Sequence, residues 1–155
     1  MLADPTRPRL DELHRLLTSV QESRTVWRSV ASFCLLAEAA AGIGEVDLGL
    51  ASLAAIAEEH RDAFFAPEIE RVRGELLLRR DGPADAEPCF RRALTLARAR
   101  SERALELRAA TSLARLLVRL ERRTEAHQTL TEVHGWFTEG FQTADLRAAR
   151  ALLEE

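Results

Sequence analysis

Lysine, asparagine and tyrosine are absent from this chain of 155 residues, and methionine occurs once. With no lysine there can be no Gly-rich phosphate loop ending in Lys-Ser/Thr, because that motif uses the ammonium group on the phosphates. All 22 basic side chains are therefore arginines, a usage that fits a GC-rich coding sequence, and 25 acidic side chains leave a net charge of -3. That balance argues against bulk electrostatic attraction to nucleic acid, which needs a basic surface. Aromatics make up only 5% of the residues, and β-branched residues are thin. Such a composition suits helices packed through Ala and Leu better than a β-sandwich.

Cysteine is scarce as well. Cys34 and Cys89 stand far apart, each within an apolar helical stretch. Two such residues supply neither a disulfide framework nor a metal set, so buried free thiols are expected. No apolar run approaches the roughly 18 to 20 residues needed to cross a bilayer. The first five residues, Met1 to Pro5, lack a charged-then-apolar leader pattern. A soluble, cytoplasmic protein without cofactor or metal, and without nucleic-acid or membrane partners, is the expectation.

What the chain has in quantity is helical periodicity. Leu10, Leu13, Leu16, Leu17 and Val20 form one apolar stripe and predict a helix over 9–22. A second helix is predicted over 25–41, with Trp27, Val30, Phe33, Cys34 and Ala37 inward, ended by Gly42-Ile43-Gly44. Further helices are expected over 46–60 and 66–80, the latter stopped by Asp81-Gly82-Pro83. Pro88 limits the next one to a start near 84 or 85, since proline is tolerated in a first turn only. Ser101 and Thr124 read as N-caps of two more helices, and Thr143 as the cap of a last one.

One spacing recurs through this pattern. Gly74 is followed by Ala86, Phe90 and Ala93 at +12, +16 and +19. Ala114, Ala126, Leu130 and Val133 repeat it, as do Ala37, Gly49, Leu53 and Ile56. Starting points about 37 and 40 residues apart fall in the range of stacked supersecondary units. The small residues let two helices approach closely, and the large one fills the space between neighbouring pairs. The predicted fold is all-α, with about eight helices in a single domain. A capping helix (9–22) precedes pairs over 25–60, 66–100 and 102–137, and a second capping helix (143–155) closes the stack. Capping helices cover the apolar faces that terminal repeats would expose.

Gly74, Leu77, Ala86, Phe90 and Ala93 resemble the tetratricopeptide repeat, which places small residues where its two helices cross and an aromatic on the second. The flanking units carry Leu53 and Leu130 in place of that aromatic, and Ala99-Arg100-Ser101 stands where a proline is usual. The blocks 73–78, 89–94, 105–116 and 135–141 also look like the C-terminal repeat region of large bacterial signalling proteins, in which a cyclase or winged-helix domain and an ATPase module precede helical repeats. The resemblance implies a right-handed superhelix and the sensor or scaffold end of such a protein, without its ATPase.

Catalytic patterns are lacking. His127 and His134 lie seven apart on one helix, too far for one metal ion without residues from elsewhere, and His14 and His60 have no partner pattern. No nucleophile elbow is present. The candidate site is a polar stripe on the first helix of each pair, the side that lines the groove in this repeat. It reads Ala31, Cys34, Glu38 in the first pair and Glu68, Arg71, Glu75, Leu78, Arg79 in the second. In the third it reads Arg108, Thr111, Arg115, Arg119. A groove grading from neutral to basic would suit an acidic peptide held by forked arginine hydrogen bonds. The bland alternative is that these arginines pair with Glu68, Glu75 and Glu106. A small anionic ligand, or a stack with no ligand at all, are the other readings. Trp136, Phe137 and Phe141 either anchor the last helix or form a patch for a homodimer.

Overall fold

The computed structural model describes residues 12, 15, 26–56 and 65–154, and among them the chain is all-α. The helices are α1 (Val26–Gly42), α2 (Val46–Ala54), α3 (Ala66–Arg80), α4 (Pro83–Ala99), α5 (Arg103–Arg119), α6 (Arg123–His134) and α7 (Ala144–Leu153). No strand occurs among the described residues. The helix expected over 9–22 lies outside them except for Glu12 and Arg15, both helical, and so do residues 57–60 and the side chain of Trp27.

Short connections make hairpins of α1 with α2, α3 with α4, and α5 with α6, and each hairpin packs on the next. The odd-numbered helices also touch one another in series: α1 on α3, α3 on α5, α5 on α7. The core lies between the layers. Val30, Phe33, Cys34, Ala37, Leu53, Ile56, Ile69, Val72 and Leu76 fill one part. Phe90, Leu107, Leu113, Leu116, Leu117, Leu130 and Leu146 belong to the other.

All twelve positions of the recurring spacing are buried. Gly74 shows why the first must be small: a Cβ there would sit 2.6 Å from Phe90 Cε1, closer than real contacts allow. At Gly49 an added Cβ would meet Leu76 Cδ2 at 2.7 Å and the Ala37 carbonyl oxygen at 3.1 Å. α1 and α2 therefore approach at the Ala37–Gly49 pair, with Leu76 of α3 closing over them.

α2 ends at Ala54, short of the expected 46–60, and the structure corrects three further expectations about helix ends. Ser101 and Thr124 do not cap. Ser101 takes a left-handed conformation (φ 57°) after α4, with the Glu102 N–H on the Ala97 carbonyl at 3.0 Å and its own N–H on Arg98 at 3.0 Å. This is a Schellman ending normally given to glycine. Glu121 (φ 61°) ends α5 in the same way, so α6 begins at Arg123 and Thr124 lies within its first turn. Pro88 is the third case. α4 starts at Pro83, whose fixed φ suits a first position, so Pro88 sits in the second turn and cannot donate to the Ala84 carbonyl. Pro88 is exposed, and water can serve that carbonyl.

Candidate functional site

The odd-numbered helices bring the polar stripe together. Glu38, Ala41, Arg71, Val72, Glu75, Leu76 and Arg79 line a cavity of about 260 Å³ between α1 and α3. A smaller one of about 100 Å³ lies between α3, α5 and α7 and shares Arg71 with the first. Thr111, Ser112, Arg115 and Asp145 are among the residues that line it. The two form one groove with Arg71 at its middle.

Arg71 is buried among carboxylates. Its Nε meets Glu68 Oε2 at 2.9 Å and its Nη2 meets Glu68 Oε1 at 2.8 Å, a forked pair between positions i and i+3. Nη2 also donates to Glu38 of α1, and Glu75 stands 3.9 Å away. Burial by itself would lower the Arg71 pKa; the hydrogen bonds and charges of Glu68 and Glu38 outweigh it and raise that pKa above the ordinary arginine value. Arg108 of α5 is engaged too, with Glu68 at 2.6 Å, Glu38 at 3.6 Å and Asp145 of α7 at 4.0 Å.

The remaining stripe residues divide. Glu75 Oε1 accepts from the Ser112 hydroxyl at 2.8 Å, tying α3 to α5. Thr111 is buried and its hydroxyl donates to the Leu107 carbonyl at 2.7 Å. Arg79, Arg115 and Arg119 are exposed. Arg79 Nη1 reaches only the Glu75 carbonyl oxygen, at 3.1 Å. None of the three makes an ion pair among the described residues. Glu106 is not a groove partner: 2% exposed, it is held by Arg98 at 2.9 Å and Arg103 at 2.8 Å.

Sequence reasoning passed over three groove residues, Glu38 as a partner of Arg71, Ser112 and Asp145. A signal existed for part of this. Glu68 and Arg108 are 40 residues apart, the offset between Gly74 and Ala114, so equivalent positions of neighbouring hairpins carry opposite charges.

On the opposite layer four charged side chains pair among themselves. Glu87 and Arg91 of α4 interlock with Arg122 and Glu125 at the start of α6, at distances of 2.6 to 2.9 Å. Hydrogen bonds from Arg91 and Arg122 hold the Glu125 carboxyl below its usual range. The three aromatic candidates differ in their surroundings. Phe137 packs against the core; Trp136, 56% exposed, lies under the Arg103 guanidinium at 3.8 Å; Phe141, 43% exposed, has its ring 5.9 Å from that of His134.

The cysteines divide as well. Cys34 is buried, whereas Cys89 is half-buried, with its thiol 3.7 Å from the Asp85 carbonyl, a correction to the expectation of two buried thiols. Burial first, then the charges of Glu68 and Glu38, push the Cys34 thiol up to about 12. Its ordinary value is 9.0, so between those values the unfolded chain releases a proton the folded one retains. Stability that is complete below pH 9 should therefore fall as pH rises toward 12. Guanidinium unfolding at rising alkaline pH should show this slope, and Cys34→Ala should flatten it.

No group of three His, Cys, Asp or Glu among the described residues could hold a metal ion, and no helix among them is long and apolar enough to cross a membrane. Comparison of the chain with protein-family models, curated proteins and solved structures finds no match.

Proposed function

We propose that this protein is a non-enzymatic docking module of the tetratricopeptide type, a right-handed stack of three helix pairs that binds a segment of a partner protein in the α1–α3–α5–α7 groove. The repeat reading draws support from side chains of one hairpin that pair with side chains of the next. Arg91 meets Glu125 and Arg98 meets Glu132, each 34 residues apart; Glu87 meets Arg122 at 35 and Glu38 meets Arg71 at 33. A bacterial signalling or regulatory protein of the cytoplasm is the setting this reading fits.

The observation that carries the docking function is the contrast between saturated and unsaturated arginines. Arg71 and Arg108 are consumed by the groove's own carboxylates, while Arg79 and Arg115, which line it, and the exposed Arg119 on the same helix as Arg115 make no ion pair among the described residues. Free guanidinium groups bordering a groove recognise carboxylates. The two cavities, of about 260 and 100 Å³, are of a size to take side chains of a bound segment.

Selection of a displayed random-peptide library on the wild-type protein tests this. The enriched sequences should carry Asp or Glu, and Arg79→Ser/Arg115→Ser/Arg119→Ser should weaken them by about tenfold or more, the worth of a single charge-assisted hydrogen bond. Equal binding to the triple variant would remove the rim from the site.

A further inference from the structure

Apart from the groove, we infer that the outer face of α1 is a self-association surface. On it α1 of a second copy packs antiparallel, with Leu35 against Ala39 and Ala31 against Ile43.

The exposure pattern singles this face out. Beyond Val30, the exposed positions of α1 are Leu35, Ala39 and Gly42, with Ile43 exposed in the turn that follows, and none is charged. Each of the other described helices has a charged side chain among its exposed positions, from Asp47 on α2 to Asp145 on α7. Leu35 is 66% exposed, more than any other large apolar side chain among the described residues. It is not spare core: α1 already packs inward through Val30, Phe33, Cys34, Ala37 and Ala41. Contiguous apolar surface of this kind marks an interaction site. The carboxylate beside it, Glu38, has Arg71 and Arg108 on its Oε1, so covering the face leaves that charge paired.

The order of side-chain sizes points to a second copy as the occupant. A two-fold contact requires a surface complementary to itself. Ala31, Leu35, Ala39 and Ile43 follow one another four residues apart, the spacing of a helix ridge, and alternate small and large. With two copies of this ridge antiparallel, one register sets Leu35 opposite Ala39 and Ala31 opposite Ile43, so each large side chain meets a small one. Shifted one step, Leu35 meets its own copy and Ala31 faces Ala39. Shifted the other way, Leu35 meets Ile43 and Ala39 faces its own copy. The ridge is therefore self-complementary in a single register, a property that an unrelated partner would not require. One pair of helix faces buries less than the roughly 1,000 Å² of a stable interface, so the dimer is weak, with a dissociation constant above about 10 µM.

Sedimentation equilibrium of the whole chain at concentrations up to about 1 mM tests this, and should show passage from monomer to dimer within the range. Leu35→Glu should weaken association by about tenfold or more, because it sets a carboxylate against apolar surface. Leu35→Ala should weaken it as well. Leu35→Ala/Ala39→Leu exchanges the large and small partners, and should return association to within about threefold of wild type. Both positions are exposed, so circular dichroism should show the same helicity in all three variants. In a mixture of isotope-labelled and unlabelled chains, filtered NMR spectra should show the Leu35 methyls in contact with the Ala39 methyl of the other copy. A protein monomeric throughout, a dimer indifferent to Leu35→Glu, or a double variant no better than Leu35→Ala would overturn the inference. Contacts of the Leu35 methyls with leucines of residues 9–22 in the same chain would also overturn it, by giving the face to that segment.

Discussion

Valine in place of Gly74 should destabilise the protein by about 3 kcal/mol, the upper range for overpacking a filled core. The Cβ alone would stand 2.6 Å from Phe90 Cε1 and 2.8 Å from Cδ1, and Phe90 is fully buried, so its ring has no open space to swing into. Alanine brings the same Cβ and should also destabilise, though less than valine, because it adds no further methyls and removing a mid-helix glycine returns up to about 1 kcal/mol of helix propensity against the clash. Gly74→Val/Phe90→Leu should recover more than about 1 kcal/mol of the valine penalty, because a shorter side chain opposite restores room for the added methyls. Guanidinium unfolding followed by circular dichroism reads all three. A Gly74→Val protein as stable as wild type would mean that close approach of α3 and α4 does not organise this pair.

Arg71→Met should cost about 3–5 kcal/mol, the range for removing one partner of a buried ion pair. Glu68 is 5% exposed and would keep only Arg108, while Glu38 would lose its nearer cation. The residue lost would be the fork itself as well as the charge, so Arg71→Lys should restore only part of the stability. The double variant Glu68→Leu/Arg71→Met should be less destabilised than the sum of its two single variants, because no buried charge is then left facing an empty place. Additive single effects in unfolding titrations would show that the two groups act independently.

The all-α fold was open to reading because its signals are local. The recurring spacing names residues that end up buried, and Gly42-Ile43-Gly44 and Asp81-Gly82-Pro83 mark two helix ends, with Gly44 at φ 84° and Gly82 at φ 100°. The errors at Ser101 and Thr124 have one origin: a serine or threonine before an apolar run is a good cap by propensity, yet the preceding helix ended in a Schellman turn that accepted Ser101 and Glu121 at positive φ. Pro88 misled because Pro83 offered a better first position five residues earlier.

The lining of the groove was legible in the sequence, and its electrostatics were not. Helical spacing placed Arg71, Glu75, Arg79, Arg108 and Arg115 on one face, and they line the groove. Which arginines are spoken for depends on Glu38, 33 residues before Arg71, and on Asp145, 37 residues after Arg108. Those pairings follow from how neighbouring hairpins are offset, and single-helix periodicity carries no information about that offset. A stripe that reads as increasingly basic along the chain therefore becomes a centre of paired arginines and carboxylates, flanked by Arg79 and Arg115, which make no ion pair among the described residues.

The central claim is that the face of α1, α3, α5 and α7 is the working surface. Backbone NMR mapping with a peptide selected on the wild-type protein tests it most directly. The account predicts amide shifts concentrated at residues 38–41, 71–79 and 108–119, and their loss in Arg79→Ser/Arg115→Ser/Arg119→Ser. Shifts confined to α4 and α6, or to the Trp136–Phe141 segment, would contradict it.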